Sequence, residues 1–232
     1  MKSYATYGED AIFEGILKRY EWIANGNLAR QSYVEIGGFH PIIDSNTYHF
    51  YKERGWAGSI FEPNHIHNYY FETDRPRDKF YNYAISNYRG FSEFFLFSEG
   101  DNSNSINPDF VELKKRAQQT PVERTMICDV ITLEDAFDLH QEIFGSEIFL
   151  LSIDAEGEDA KIIDGYDFEF YRPVFIMVED KPSVSFMPNL GIIRSLLLAR
   201  DYVPIATSLM TTIYVDNRNQ ISDDILKMGR FE

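Results

Sequence analysis

The chain has 232 residues, 44% hydrophobic and 25% charged, which is the balance of a globular protein with one core of the larger single-domain kind. A net charge of −15 disfavours nucleic acid and anionic lipid as partners, because both need Lys and Arg to displace counterions. Cys128 is the only cysteine, so an internal disulfide and a thiolate metal cluster are excluded.

Apolar residues at Ile12, Phe13, Ile16 and Leu17 predict a helix from about Glu9 to Tyr20. Tyr33-Val34-Glu35-Ile36 then reads as a strand stopped by Gly37-Gly38, and Thr47 to Arg54 as a helix closed by Gly55. Trp56 to Phe61 is a second strand, Asn64 to Glu72 a helix, and Lys79 to Ile85 a third strand. Arg89-Gly90 makes a turn into the aromatic strand Phe91 to Phe97, expected to pair as a hairpin. A polar loop follows, then a helix over Pro108 to Gln118, whose Lys114-Lys115-Arg116 run reads as a solvated face. Thr125 to Ile131 is a strand and Leu133 to Ile143 a helix. Glu147 to Ile153 and Pro173 to Val178 are apolar runs of the kind buried on both faces of a parallel sheet, separated by a helix over Glu158 to Asp164. Leu190, Ile193, Leu196 and Leu197 mark a last helix, with one or two strands between Tyr202 and Val215.

Strands alternating with helices predict an α/β fold with a mainly parallel sheet flanked by helices. No linker divides the chain, so residues 1–232 read as one domain, with residues 86–124 as a β-hairpin and loop insertion or cap. The first residues lack a signal-peptide core, and no run approaches the ~20 apolar residues of a membrane span, so a cytoplasmic location is expected.

Ligands of open α/β sheets bind beyond the carboxyl ends of the strands. Acidic residues collect there: Glu35, Glu62, Asp154 with Glu156, and Glu179-Asp180. A carboxylate at Glu62, ending the second strand, can accept both ribose hydroxyls of an adenosine. Gly37-Gly38 lets backbone approach a ligand closely. A dinucleotide site needs a third glycine and a helix under the pyrophosphate, whereas Gly37-Gly38-Phe39-His40-Pro41 has neither. A cofactor without phosphates fits better, and S-adenosylmethionine is the common one.

Four segments carry a resemblance: Tyr7-Gly8-Glu9-Asp10; Val34 to Pro41 with Ser45-Asn46-Thr47; Gly55-Trp56 through Ile60-Phe61-Glu62-Pro63-Asn64; and Leu151-Ser152-Ile153-Asp154-Ala155-Glu156-Gly157. In their order and spacing they resemble the FkbM family of S-adenosylmethionine-dependent methyltransferases along most of residues 5–181. The resemblance implies a Rossmann-like class I methyltransferase fold with a seven-stranded sheet. It implies that Glu35 and Gly37 line the methionine end of the cofactor, with Gly38 beside them. It further puts Glu62 at the ribose, Asn46 and Thr47 near the cofactor carboxylate, and Ala84, Ile85 and Ser86 near adenine. Such enzymes mostly O-methylate hydroxyls, often on sugars of surface glycans or on natural products.

Methyl transfer to a hydroxyl is an in-line displacement that needs help in removing the hydroxyl proton. Two routes are open. Asp154, Glu179 and Asp180 could hold Mg²⁺ or another divalent cation, or a side chain could act as base, with His40 and Glu156 as candidates. Two other classes compete, a nicotinamide-dependent oxidoreductase and a binding module without turnover. A glycan or small-molecule acceptor is expected; its identity and a homo-oligomeric state stay open at this level.

Overall fold

A polypeptide that alternates short apolar runs with amphipathic helices can bury both faces of a sheet only by laying helices on each side of it. The computed structural model describes residues 2–24, 26–98, 101–180 and 190–228. It contains α1 (Glu9–Ala24), β1 (Ser32–Ile36), α2 (Tyr48–Arg54), β2 (Ala57–Phe61), a 3-10 turn (His65–His67), α3 (Asn68–Asp74), β3 (Lys79–Tyr81), β4 (Ala84–Ser86) and β5 (Gly90–Leu96). These are followed by α4 (Pro108–Gln118), β6 (Arg124–Thr132), α5 (Leu133–Phe144), β7 (Leu150–Ile153), α6 (Asp159–Asp164), β8 (Phe175–Glu179), α7 (Leu190–Leu198), β9 (Tyr202–Thr207), β10 (Thr211–Asp216) and α8 (Gln220–Met228).

Seven strands form the main sheet in the order β3-β2-β1-β7-β8-β10-β9. The first five run parallel, and β10 is antiparallel to both of its neighbours. The expected α/β architecture with a mainly parallel sheet is therefore present. One face packs on a core around Val34, Phe61, Phe137, Leu151 and Ile176. The other packs on a core around Phe13, Phe50, Trp56, Leu150 and Phe175. No helix among the described residues is long and apolar enough to cross a membrane.

Two expectations need correction. The predicted third strand is broken at Asn82-Tyr83, so that β3 joins the main sheet while β4 leaves it. The aromatic strand β5 does not fold back on β4 as a hairpin. It pairs antiparallel with β6 across the long connection that carries α4, and β4 pairs parallel with the other edge of β6. The result is a separate three-stranded sheet with its own small core of Phe94, Leu96, Ile106, Cys128 and Val130. Nor did the sequence pattern disclose α8, whose Ile225 joins the core against α1.

Candidate functional site

The strand register lines up the end of the sheet. Ile36 pairs with Phe61 on one side and with Ile153 on the other, and Ile153 pairs with Val178. The next residue on each strand is therefore Glu62, Gly37, Asp154 and Glu179, in spatial order across β2, β1, β7 and β8. Adjacent strands lie about 4.8 Å apart, so this row gathers three carboxylates around one glycine.

Gly37 occupies its place for steric reasons. Its φ is +79°, and a Cβ there would stand 1.8 Å from the carbonyl oxygen of Asp154. A Cβ on Gly38 would stand 2.2 Å from Cγ2 of Ile60. The two glycines thus admit close packing of the chain upon itself, and Gly37 also lines the first of the cavities described below.

Asp154 opens a tight turn. Glu156 has φ 47° and Gly157 φ 100°, so two consecutive residues adopt left-handed backbone. Asp159 holds the turn by accepting from the amides of Ala155 at 3.0 Å and Gly157 at 3.1 Å. The far side is tied to the segment before α4: Ser105 Oγ donates to the Glu156 carbonyl at 2.7 Å and Asn107 Nδ2 to the Gly157 carbonyl at 2.8 Å. A non-glycine residue held in a left-handed turn by this many bonds is the signature of a functional constraint.

Two cavities meet at this turn. The first, of about 520 Å³, has Ile36, Gly37, Phe39, Phe61, Tyr83, Ala84, Ile85, Phe94 and Ile106 among its walls, and Glu62 and Glu158 among its polar groups. Glu62 is buried, its Oε2 accepting from the Phe39 amide at 3.1 Å and its Oε1 from the Asn64 amide at 2.8 Å. Burial pushes its carboxyl up to about 7, against those two amides, which pull it down. The second cavity, of about 1070 Å³, is lined by Glu9, Asn46, Lys114, Gln118, Glu179 and Thr211 among others. Asn102, Asp154 and Glu156 border both. Burial, then repulsion from neighbouring carboxylates, raises the proton affinity of Asp154, Glu156 and Glu179.

The methyltransferase FkbM domain matches residues 34–204, from β1 into β9, a span that holds the whole carboxylate row and the turn. The chain belongs to the FkbM methyltransferase family. Neither a curated protein nor a solved structure matches it.

The FkbM methyltransferase places the residues expected from its sequence unevenly. Gly37, Glu62, Ala84, Asp154 and Glu156 line the first cavity, and Asn46 the second. Ser86 stands behind the wall, its Oγ donating to Glu158 at 2.6 Å. Glu35 lines neither cavity. It sits two rows below the edge, beside Ile60 and Ser152, and its Oε2 accepts from Thr47 Oγ1 at 2.6 Å. Thr47 is fully buried and also accepts from Arg75 Nη2 at 2.7 Å. Arg75 anchors this network, reaching Tyr33, Ser45, Asp78 and the Pro41 carbonyl from a side chain with no exposure. Glu35 and Thr47 therefore brace the loop after β1 from beneath.

His40 also lines neither cavity. Its Nδ1 accepts from the amides of Ile42 at 3.1 Å and Ile43 at 3.0 Å, which occupies the one acceptor nitrogen of a neutral imidazole. It organises the loop and has no free acceptor to take a proton.

The oxygen set expected for Mg²⁺ does not assemble. Asp180 Oδ1 accepts from Thr212 Oγ1 and its Oδ2 from the Tyr214 hydroxyl, which turns it into β10 and away from Asp154. Among the described residues no three His, Cys, Asp or Glu side chains converge as a metal site. The donor set thus does not fit the ion, and no step is routed through one.

Several lining residues were not singled out from the sequence, although five of them lie in the insertion expected over residues 86–124. Tyr83, Phe94, Asn102, Asn104, Ser105 and Ile106 reach the first cavity from the second sheet and its loop. Lys114 is a correction: it is 2% exposed, not on a solvated face, with Nζ 2.6 Å from Asp101 Oδ1 and 4.1 Å from the centroid of Phe97. The signal was present, since Lys114 lies four residues after Phe110 and three after Val111, on the buried stripe of α4.

Proposed function

We propose that this FkbM methyltransferase moves the methyl group of S-adenosylmethionine to a hydroxyl oxygen of a sugar, in a glycan or a glycosylated metabolite, within a Rossmann-like class I domain. The observation that carries the reading is the meeting of two cavities at Asp154 and Glu156, one suited to an adenosine and the other to a polar acceptor. Glu62 presents a carboxylate held by two amides, with lone pairs left for the ribose hydroxyls. Ala84 and Ile85 offer an apolar wall to adenine, and Asn46 faces the amino-acid end. The loop after Gly38 runs nine residues before α2 begins at Tyr48, so no helix start waits there for a pyrophosphate.

When bound, the cofactor supplies an electrophilic methyl group on a sulfonium. Glu156 would take the acceptor's hydroxyl proton on a carboxylate oxygen. Asp154 stands beside it. Both carboxyls resist ionisation in the empty pocket and ionise more readily beside a positive sulfonium. A carboxylate with raised proton affinity is the stronger base near neutral pH.

Isothermal titration of the full chain with S-adenosylmethionine and with NAD, followed by transfer of a labelled methyl group to a sugar panel, tests the reading. Binding of S-adenosylmethionine alone, with label on an oxygen, is expected. Tight NAD binding without S-adenosylmethionine binding overturns it. Binding without transfer to any hydroxylated acceptor favours a non-catalytic module.

A further inference from the structure

Glu62 is held by two main-chain amides from different segments, Phe39 after β1 and Asn64 after β2. Both lead to the same side chain. Asn64 Oδ1 accepts from the Ile66 amide at 3.3 Å, so the group it turns to His67 is the Nδ2 donor, 3.3 Å from His67 Nε2. Nε2 must then be the acceptor, which puts the imidazole proton on Nδ1. On the other side the ring of Phe39 meets the His67 ring edge to face, with centroids 5.2 Å apart. Phe39 needs such support, because its amide reaches Glu62 from a left-handed backbone, φ 38°, that a bulky residue rarely adopts.

His67 also carries a cost. It is 5% exposed, and its Nδ1 has no hydrogen-bond partner among the described residues. A buried N–H left unpaired is destabilising, and an apolar ring of similar size would avoid the penalty. What an apolar ring cannot supply is an acceptor for the side-chain amide of Asn64, itself buried. Burial, then the charge of His40, holds the His67 pKa down to about 4, so that acceptor persists through the neutral range.

We propose that His67 is a positioning residue for the ribose carboxylate: it locks the two amides that orient Glu62, one through the Asn64 side chain and the other through the ring of Phe39. The inference rests on Glu62 holding the ribose. Loosening either amide weakens a hydrogen bond to the ionised carboxylate and so raises its proton affinity. The other titratable groups around Glu62 are Tyr83, Asp154, Glu156 and Glu158 on the walls of the first cavity, and Cys128 of β6, on which the Glu62 charge acts. His40 acts on His67. All of these stay in place when His67 is replaced, so a difference from the parent reads Glu62.

The test is a titration of the full chain with S-adenosylhomocysteine, which carries the same ribose, from about pH 6 to 8.5. In His67→Phe the acidic midpoint of affinity should move up by about one pH unit. Binding then becomes about fivefold weaker at pH 7 and stays within about twofold of the parent at pH 8.5. His67→Gln, which returns an acceptor, should keep the parent profile. Asn64→Ser should shift the midpoint in the same direction, because serine still caps the turn and loses only the link to His67. It carries the test if circular dichroism shows the phenylalanine variant unfolded. A loss of equal size at every pH, or a variant that matches the parent at pH 7, overturns the inference, since packing alone is blind to the charge of Glu62. Parent affinity that Glu62→Gln leaves unchanged at every pH rejects the ribose role itself, which tells the two failures apart.

Discussion

Glu62 and Glu35 are both acidic residues near the end of a parallel strand, yet the structure gives them opposite surroundings. Glu62 lies on the terminal row and faces the first cavity, while Glu35 lies two rows lower and binds Thr47 and Arg75. Two residues of register separate a cavity-facing carboxylate from a bracing one, and no local pattern announces which is which. Arg75 was illegible for a related reason: its partners lie 28 to 42 residues away in sequence, apart from Asp78. Glu62→Ala should weaken S-adenosylmethionine binding by about 1–3 kcal/mol in isothermal titration, the loss expected for charge-assisted hydrogen bonds. Unchanged affinity rejects its ribose role. Since Glu62 holds its proton up to about 7 and ribose hydroxyls favour the ionised form, cofactor affinity should be lower at pH 6 than at pH 8. Glu62→Gln should flatten that dependence. Gly37→Ala should cost about 2–4 kcal/mol, because the left-handed backbone and the Asp154 carbonyl both resist a methyl group. Urea unfolding measures it, and an unaltered midpoint would show that the turn gives way.

At the scale of elements, α4 was read from the sequence with both ends correct, since Asn107-Pro108 is a strong start signal. What the pattern did not disclose is that the same asparagine serves two structures. Its Oδ1 accepts from the amides of Asp109 and Phe110, and its Nδ2 donates to the Gly157 carbonyl and to Glu158. Asn107→Asp keeps the cap and loses the donor, whereas Asn107→Ala loses both. The alanine variant should lose about 2–3 kcal/mol of stability. The aspartate variant should keep more of that stability and still bind S-adenosylmethionine poorly, as its turn is no longer held. Equal cofactor affinity in the aspartate variant and the parent would separate the cap from the site. β8 and β10 carry a prediction of their own. With Asp180 committed to Thr212 and Tyr214, methyl transfer should persist in EDTA. Loss of transfer in EDTA, restored by Mg²⁺, would reinstate the metal route.

For the whole molecule, the strand and helix alternation was legible because each parallel strand is a short apolar run with its own punctuation. The second sheet was not, because pairing β5 with β6 is a contact across a long connection, which hydrophobic periodicity does not encode. The gathered carboxylates set the pH dependence of the empty protein. Glu62, Asp154, Glu156 and Glu179 all hold protons above their ordinary range when folded, so the folded state binds more protons than the unfolded state as pH rises past about 4.5. Stability from these groups therefore falls with rising pH. The buried His67 and His140, held down to about 4, act in the opposite sense but only below their ordinary 6.5. From pH 6.5 to about pH 8 the carboxylates act without that opposition, and the urea midpoint of the empty protein should decline. A midpoint that rises over this interval would contradict the account.

The loop that walls both cavities hangs from the three-stranded sheet, while the carboxylate row belongs to the main one. A chimera that exchanges residues 87–123 for the corresponding stretch of another family member would therefore change walls of both cavities while leaving the carboxylate row in place. The seam decides whether such a graft works. Ser105 and Asn107 are the stitches that hold the Glu156-Gly157 turn in its left-handed form. A donor segment with a hydroxyl and an amide at those two places should transplant acceptor preference intact, and one without them should yield a folded protein with a slack active turn.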